Sequence, residues 1–299
     1  MRTGRQSAKR LGSFRDIVKE GNCSPSEGSS DLADANINNV SIKQKYALKA
    51  VSELRPIDDN FFSKLAEDKY VCEEILRVIL EDPGLEVITV RPQNSVKNLQ
   101  GRSVCLDAIC STTQRGFCNV EVQRADHDNH FKRVRYNASC ITANITDPGS
   151  KFENVPDVCV VYISQFDILR KGKTVYRVHL FDDITGIRVD DGLSYVFVNT
   201  AVNDRSDIAE LMQCFLQTEV NNPKFPNMSR RVGFFKNNKE GVRIMCDAWE
   251  KYNDAIRAEG KIEAYHDLGL SISEIAEKMD ISENEVSRIL RDELQALEV

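Results

Sequence analysis

Two short apolar segments, SVCLDAIC and FCNVEVQ, constrain the fold of this 299-residue chain more than any other feature, because each contains a single carboxylate. Asp107 is the acid of the first segment and Glu121 that of the second. The polar link STTQRG between them is short, which predicts an antiparallel hairpin. Side chains alternate along a strand, so Glu121 and Gln123 point to the same face. A buried carboxylate is costly unless it is paired or binds a cation. The hairpin therefore predicts a site at which two acids meet.

The pattern around this hairpin predicts an α/β fold with a mixed central sheet flanked by helices. Apolar residues recur at helical spacing from Phe61 to Ile79 and Pro83 follows, so we expect one amphipathic helix there. LEVITV precedes the hairpin as a strand, and the apolar run VCVVYISQF follows it as a strand buried on both faces. A helix that begins near Asp126 or Asp128 separates that strand from the hairpin. Such a crossover joins parallel neighbours, so part of the sheet should be parallel.

The composition divides the chain into three parts. Residues 1–52 contain NCSPSEGSSDLADANINN, which has too few large apolar side chains to offset its ordering entropy, so we expect a weakly ordered extension and order from about Leu54. Residues 53–248 form the α/β domain. Its later elements are the strands TVYRVHLF and SYVFVN and helices over 205–217 and 240–267. Residues 249–299 form a C-terminal helical segment in which SISEIAEKM and ENEVSRILRDEL resemble a helix-turn-helix. DNA reading competes there with a role as a helical cap or dimer element.

Cysteine content, hydropathy and charge limit the cellular environments and the partners that are expected for this protein. The nine cysteines include no CxxC pair and lie mostly in apolar runs, which indicates reduced, buried thiols of a cytoplasmic protein. No apolar run reaches about 18 residues, so no membrane helix is expected. The N-terminus lacks the apolar stretch of a secretory signal. The net charge of −6 argues against a broadly basic surface, so contacts to nucleic acid must use local patches.

Two interpretations fit the pair of acids. In the first, Asp107 and Glu121 bind a hard divalent cation, since Mg²⁺ takes a few carboxylates, several waters and substrate phosphates. Gln123 would then orient an attacking water or a phosphate oxygen, but an amide does not titrate and cannot act as a base. In the second interpretation, the acids form buried ion pairs with Arg102 or Arg124.

A basic cluster, KRVRY, follows on the next predicted helix. Arg133, Arg135 and Tyr136 are candidates for substrate binding, because guanidinium groups bind phosphate in a bidentate manner. A helical wheel places Arg135 beside the buried stripe and Arg133 farther from it. The alternative is an ordinary solvated helix face. Just upstream, His127 and His130 fit the solvated start of a helix better than a pair of metal ligands.

Longer stretches of the chain carry a family resemblance. They are IDDNFFSKLAEDKYVCEEILRVIL, LQGRSVCLDAICS, FCNVEVQRAD, HFKRVRYNASCI, PDVCVVYISQFD and YRVHLF. Across roughly residues 54–248 the chain resembles the PD-(D/E)XK nuclease superfamily, in its Rpn-type branch of recombination-promoting nucleases, also described as transposases. The resemblance implies a restriction-endonuclease-like mixed sheet flanked by helices, and a link to recombination or a mobile element.

The same resemblance implies a metal-dependent endonuclease that hydrolyses DNA phosphodiesters, with Mg²⁺ as its cofactor and Mn²⁺ as the alternative ion. By position, Asp107 and Glu121 are the implied metal ligands. Asp59 matches the acid that opens the first motif of the family, and it is our choice to complete the catalytic site. Glu73 is the second choice because it lies on the flank of the apolar stripe, whereas Glu74 faces away.

Gln123 falls at the position where the wider superfamily has lysine, and glutamine is usual there in this branch. DNA is the implied partner, without membrane association, and a homodimer is an alternative to a monomer. Two other functions stay open. One is a catalytically inactive nuclease fold that acts as a nucleic-acid-binding or regulatory module, and the other is an RNA nuclease.

Overall fold

The computed structural model describes residues 42–96, 104–126 and 130–297. Its helices are α1 Ile42–Glu53, α2 Asp59–Leu65, α3 Lys69–Ile79, α4 His130–Ile145, α5 Asp207–Phe215, α6 Pro226–Asn237, α7 Lys239–Asp267, α8 Ile272–Met279 and α9 Glu283–Leu297. Its strands are β1 Val87–Val96, β2 Val104–Thr112, β3 Phe117–Gln123, β4 Val158–Ser164, β5 Val175–Val178, β6 Leu180–Phe181, β7 Arg188–Val189 and β8 Leu193–Asn199. No helix in these three ranges is long and apolar enough to cross a bilayer. Residues 1–41, Arg102, His127 and Asp128 lie outside the described part of the chain.

Six strands form one mixed sheet in the order β1-β2-β3-β4-β8-β5. Strands β1, β2 and β3 are antiparallel neighbours, so the predicted hairpin is confirmed. Strand β3 pairs in parallel with β4 through the crossover helix α4, and β4 pairs in parallel with β8. Strand β5 closes the far edge antiparallel to β8. The predicted fold class is confirmed, and the acidic strand β3 lies at the point where antiparallel pairing changes to parallel pairing.

Each face of the sheet has its own apolar core. On one face, α4 contributes Val134, Ala138 and Ile141 to a core shared with β4. On the other face, α2, α3, α5, α6 and the start of α7 build a larger core that includes Phe61 and Phe235. Full burial of such a side chain contributes about 1.5–3 kcal/mol. The sheet is therefore held from both sides, which gives the acids on β2 and β3 a rigid support.

The helix predicted from Phe61 to Ile79 is wrong in one respect, because the structure has two helices there. Helix α3 begins after Asp68, whose side chain accepts a hydrogen bond from the Tyr70 amide at 3.1 Å. A side-chain acceptor at a helix start satisfies an amide that has no partner within the helix. The chain can therefore stop after α2 and restart, although its apolar spacing is continuous. The second helix also ends at Ile79, before the proline expected to stop it.

Three features departed from the sequence analysis or were absent from it. Ordered structure starts before Leu54, because α1 buries Ala47 and Val51. Helix α6 was not predicted, although Pro226 stands in its first turn, where the missing N–H of proline is harmless. The hairpin of β6 and β7 was also missed, because Leu180–Phe181 stands at the end of the predicted strand TVYRVHLF and the two residues of β7 leave no periodic pattern.

The two C-terminal helices were predicted, and they pack with a third helix. Ile262 near the end of α7 joins a separate small core with Ile275, Val286 and Leu290 of α8 and α9. Ser271 starts α8 with a capping box to Glu274. The third helix that a helix-turn-helix requires is therefore present in this part of the chain. DNA reading by this unit, and its use as a cap or in a dimer, stay predictions.

Candidate active site

The regular pairing of β2 with β3 ends at the two acids. The register places Ala108 opposite Val120. One residue farther along β2, the Asp107 carboxylate accepts a hydrogen bond from the Val122 amide, with 2.9 Å between Oδ2 and N. A side chain thus takes the place of a main-chain acceptor in the ladder. This contact fixes the Asp107 carboxylate beside the part of β3 that carries Glu121.

Glu121 is almost completely buried and has one polar side-chain neighbour on its own strand. Asn119 donates from Nδ2 to Glu121 Oε1 at 2.8 Å. Burial raises the pKa of Glu121 to about 7, although this hydrogen bond and the positive charge of Arg133 both lower it. Asn119 lies two residues before Glu121 and therefore on the same face. The sequence analysis missed Asn119, and the same period-two rule that paired Glu121 with Gln123 would have found it.

Asp107 is destabilised as an anion by its surroundings. Burial raises the pKa of Asp107 well above its usual range, and the charge of Glu121 raises it further. The hydrogen bond from Val122 and the charge of Arg133 act in the opposite direction. Each acid therefore opposes ionisation of the other, as expected for two carboxylates that share a site. A cation placed between them would relieve both the burial penalty and the repulsion.

Asp59 reaches the same cluster from the first turn of α2. Its charge raises the pKa of both Asp107 and Glu121, so the three carboxyl groups lie within electrostatic range of one another. Loss of hydration raises the pKa of Asp59 itself, while Arg133 lowers it. The residue is exposed at the rim of the cluster, whereas Glu121 is at its buried end. The structure therefore places the first-choice acid within electrostatic range of the predicted pair, although no three such side chains among the described residues lie close enough to form one metal-binding group.

The predicted ion pair between these acids and Arg124 is not observed. Arg124 Nη1 instead lies 2.6 Å from Oδ1 of Asp58, the residue before Asp59. Asp58 also accepts a hydrogen bond from the Arg55 amide at 2.7 Å. Asp58 was not singled out from the sequence, yet it ties the start of α2 to the segment that follows β3. The other proposed partner, Arg102, lies outside the described residues.

The two glutamates of α3 have structural contacts. Glu73 accepts a hydrogen bond from the Val87 amide at 2.9 Å and pairs with Arg77 at 2.9 Å, so it anchors the start of β1. Glu74 was expected to face away, and this is wrong because Glu74 is buried. Its carboxylate accepts hydrogen bonds from the amides of Asn227 and Met228 at 3.0 and 2.8 Å. Glu74 therefore caps the start of α6, a helix that the sequence analysis lacked.

Gln123 lies at the end of β3, half-buried, with its amide group held by the chain. Its Nε2 donates to the Ala125 carbonyl at 3.0 Å. Its main-chain carbonyl accepts from the Gln165 amide at 2.9 Å, which joins β3 to the residue after β4. The side-chain oxygen of Gln123 is the polar group that this arrangement leaves for a water or a ligand.

The two arginines of the KRVRY cluster point to different places. Arg133 lowers the pKa of Asp59, Asp107 and Glu121, so it is the arginine beside the acids. Arg135 instead lowers the pKa of Tyr195 on β8, away from the acids. The helical-wheel position of Arg135 beside the buried stripe therefore does not bring it to the acids, and Arg133 is the arginine within their electrostatic range.

Tyr136 is half-buried and packs against the core that α4 shares with β4. A role of Tyr136 in substrate binding stays a prediction. Its packing against the core that contains Val134 gives it a structural role.

His130 is buried at the start of α4, so the expected solvated helix start is wrong for this residue. Its Nδ1 lies 2.8 Å from the Tyr162 hydroxyl and its Nε2 lies 3.1 Å from Asp126 Oδ1. Its ring also contacts Phe166, with 4.8 Å between centroids. Tyr162 is the residue directly opposite Glu121 on β4. This chain of contacts positions the helix that carries Arg133.

The donor set fits a magnesium-type ion better than a zinc-type ion. In the described residues, no three His, Cys, Asp or Glu side chains are close enough to form a complete metal cage. Mg²⁺ does not require one, because it is usually held by one or two carboxylates and keeps several waters. Asp107 and Glu121 supply two oxygen donors whose charge Arg133 and the hydrogen bonds from Val122 and Asn119 only partly offset. The described cysteines are free thiols and none belongs to such a group.

One protein family matches the chain. It is described as PD-(D/E)XK nuclease family transposase, and the match covers residues 60–214, just over half of the chain. The matched range contains Asp107, Glu121, Gln123 and Arg133, and begins one residue after Asp59. Neither the curated proteins nor the solved structures include a significant match.

Proposed function

This chain belongs to the PD-(D/E)XK nuclease family transposases, and we propose that it is a metal-dependent endonuclease that hydrolyses DNA phosphodiester bonds. The observation that carries the proposal is the electrostatic cluster of Asp59, Asp107 and Glu121 around Arg133. Three ionised carboxylates in one cluster destabilise the folded protein unless a cation is bound, since their negative charges repel one another. A site that binds a cation and an anionic substrate makes use of both the acids and the arginine.

In this proposal, Asp107 and Glu121 hold Mg²⁺, with Mn²⁺ as the alternative ion. When bound, a divalent ion supplies Lewis-acid stabilisation of the charge that develops on the phosphate oxygens. Asp59 at the exposed rim completes the acidic side of the site. The hydrogen bond from Val122 holds the Asp107 carboxylate in position, so the oxygen left over is oriented before any ligand arrives.

Arg133 and Gln123 serve the substrate in this proposal. Arg133 binds a phosphate oxygen of the cleaved strand, because a guanidinium group offers two parallel donors to phosphate. Gln123 offers its side-chain oxygen to the attacking water and orients it, while its Nε2 stays on the Ala125 carbonyl. An amide cannot take the proton of that water. The proton therefore leaves through solvent or through a carboxylate of the cluster.

The test is a nicking assay on supercoiled plasmid DNA with purified protein. We expect nicking with Mg²⁺, none with EDTA, and losses of at least a hundredfold for Asp107→Asn and for Glu121→Gln, in the range found when one transition-state stabiliser is removed. Asp147→Asn removes an exposed carboxylate from the turn after α4 and serves as the matched control. If Asp107→Asn protein nicks DNA as fast as the parent, the site assignment is wrong.

A second candidate function is a non-catalytic module that keeps the fold and binds or regulates nucleic acid. The lack of a third metal-binding side chain close to the pair, among the described residues, favours it. Thermal melting separates the two functions, because a ligand that binds only the native state raises its stability. An unchanged melting temperature in Mg²⁺ and in Mn²⁺, together with no nicking of DNA or RNA, would favour the second function over the first.

A further inference from the structure

A basic loop leaves the sheet beside the candidate active site. The loop, residues 165–173, follows β4, and its first amide donates to the Gln123 carbonyl at 2.9 Å. Farther along, Arg170 Nη2 lies 3.6 Å from Asp126 Oδ2. Gln123 is two residues after Glu121, which is about 7 Å of main chain, since an extended chain spans at most about 3.4 Å per residue. The loop therefore begins beside the strand that carries Glu121.

Two side chains build the basic loop into a fixed shape. Asp167 accepts hydrogen bonds from the amides of Arg170 and Gly172 at 3.0 and 2.7 Å. The Tyr176 hydroxyl donates to Asp167 at 2.7 Å and accepts from the amide of Lys171 at 3.2 Å. It also accepts from the next lysine amide, at position 173, at 3.1 Å. The amides of all four residues 170–173 are therefore hydrogen-bonded before any partner binds.

One residue of the loop has a backbone conformation that its residue type disfavours. Arg170 has φ +52°, in the left-handed region that residues other than glycine and asparagine avoid. Gly172 has φ +68°, where glycine fits without strain. A non-glycine residue in this region costs of order 1 kcal/mol and persists only when its surroundings hold it there. The fixed loop thus carries a cation at a position where a smaller, uncharged residue would be more stable.

The loop presents three cations to solvent. Arg170, Lys171 and Lys173 are exposed, and the ammonium groups of the two lysines have no ion pair or hydrogen bond within the described ranges. Burial alone would raise the pKa of Asp167, but the hydrogen bonds from Tyr176 and the loop amides lower it overall. Asp167 therefore stays ionised, and its carboxylate accepts hydrogen bonds from Tyr176 and from amides of the loop instead of pairing with the exposed cations. Three exposed cations in one turn are notable in a chain of net charge −6.

We propose that the basic loop binds the phosphate backbone of duplex DNA beside the scissile bond. The inference rests on the proposed nuclease function, because the loop is joined to the strand that carries Glu121. The main chain of this turn is already fixed by its hydrogen bonds, so little backbone freedom is lost when its cations contact phosphate. Contacts of this kind fix the register of the duplex and carry no sequence information. The weak, exposed pair of Arg170 with Asp126 gives way to a phosphate at little cost.

The test compares two double variants by fluorescence anisotropy with a labelled 20-base-pair duplex, in EDTA to prevent cleavage and over a range of salt. Lys171→Gln/Lys173→Gln removes the two loop ammonium groups. Lys151→Gln/Arg188→Gln removes two exposed cations outside the basic loop, one between α4 and β4 and one in β7. We expect several-fold weaker binding for the loop variant and a salt slope reduced by about 0.9 for each lost phosphate contact. The control variant should bind as the parent does.

A charge-neutral variant tests the fixed shape of the loop. Tyr176→Phe removes the hydroxyl that ties both lysine amides to Asp167 and leaves the net charge unchanged. We expect weaker binding with an almost unchanged salt slope, because the cations remain but are less ordered. Melting curves of each variant confirm folding, since none of the replaced polar groups lies in a core.

The outcomes separate this inference from the proposed function. If the parent nicks plasmid DNA and the loop variant binds like the parent or like the control variant, the basic loop is not a DNA contact and the nuclease function stands. If the parent binds DNA through the loop but does not nick it, the contact stands and the nuclease function fails. A parent that does not bind the duplex at all overturns the loop proposal.

Discussion

The carboxylate of Asp107 accepts a hydrogen bond from the main-chain amide of Val122 at 2.9 Å, so an acid of one strand is built into the hydrogen-bonding ladder of the next. Val122 directly follows Glu121, and the contact therefore holds the two acids together whether or not a ligand is present. Its consequence is electrostatic. The fold fixes two carboxylates where burial and mutual repulsion oppose their ionisation.

The stability of the metal-free protein should fall as the pH rises from about 4.5 to about 7. Glu121 has a pKa of about 7 in the folded protein, against 4.5 for an ordinary glutamate. Between these values the folded state binds more protons than the unfolded state, so raising the pH favours unfolding. Urea unfolding in EDTA at several pH values measures the slope. Glu121→Gln, which cannot ionise, should lose most of it, and an unchanged slope in that variant would contradict the assignment.

Added Mg²⁺ should reverse this dependence. A divalent cation binds the ionised carboxylates and competes with protons, so its stabilising effect should grow as the pH rises through about 7. The measurement is the melting-temperature difference between Mg²⁺ and EDTA at pH 6, 7 and 8. Asp107→Asn and Glu121→Gln should show little difference at any pH, whereas Asp147→Asn should behave as the parent. A shift of equal size in all four proteins would place the ion elsewhere.

Arg133→Ala should impair DNA binding and cleavage more than Arg135→Ala does. Arg133 lies within electrostatic range of the acids, whereas Arg135 acts on Tyr195. Loss of Arg133 also removes a charge that lowers the pKa of Glu121, so the pH at which Mg²⁺ stabilises the protein should move upward. Arg135→Ala is the matched control on the same helix. Equal effects of the two substitutions on nicking would show that α4 acts through its general charge.

Glu74→Ala should destabilise the fold and leave the metal response intact. The Glu74 carboxylate accepts hydrogen bonds from the amides of Asn227 and Met228, and its removal leaves buried donors without a partner. Such a loss costs about 1–3 kcal/mol. Denaturant unfolding gives the change, with Glu86→Ala, at an exposed position before β1, as the control. A Glu74→Ala protein that is as stable as the parent, or that no longer responds to Mg²⁺, would disagree with a purely structural role.

The hairpin of β2 and β3 shows how far local rules reach. Its polar link and period-two pattern were enough to predict the pairing, and the crossover rule was enough to predict the parallel neighbour β4. Both rules are local in character, since they depend on short turns and on the handedness of the chain. A local rule failed earlier in the chain, where the apolar spacing of Phe61 to Ile79 predicted one helix, because a cap at Asp68 can interrupt a helix without altering its periodicity.

The sequence was enough to predict which acids form the candidate site, but it was not enough to predict which residues contact them. Asp107 and Glu121 stood out because a lone charge in an apolar strand is unusual. Which residues surround them depends on how α2 and α4 pack onto the sheet. The pairing of Arg124 with Asp58, the burial of His130 and the placement of Arg133 rather than Arg135 beside the acids all follow from that packing.

The sequence by itself determined that the sheet is mixed, the order of its first four strands with the crossover helix, and the two acids, because these depend on periodicity and on connections between neighbours in the chain. Only the tertiary structure decided the environment of the two acids, and with it the direction in which their pKa values shift. Burial, the amide of Val122 and the distant helices α2 and α4 set the protonation of Glu121 and Asp107. These terms come from residues far apart in sequence, and no local pattern contains the angle at which a helix crosses a sheet.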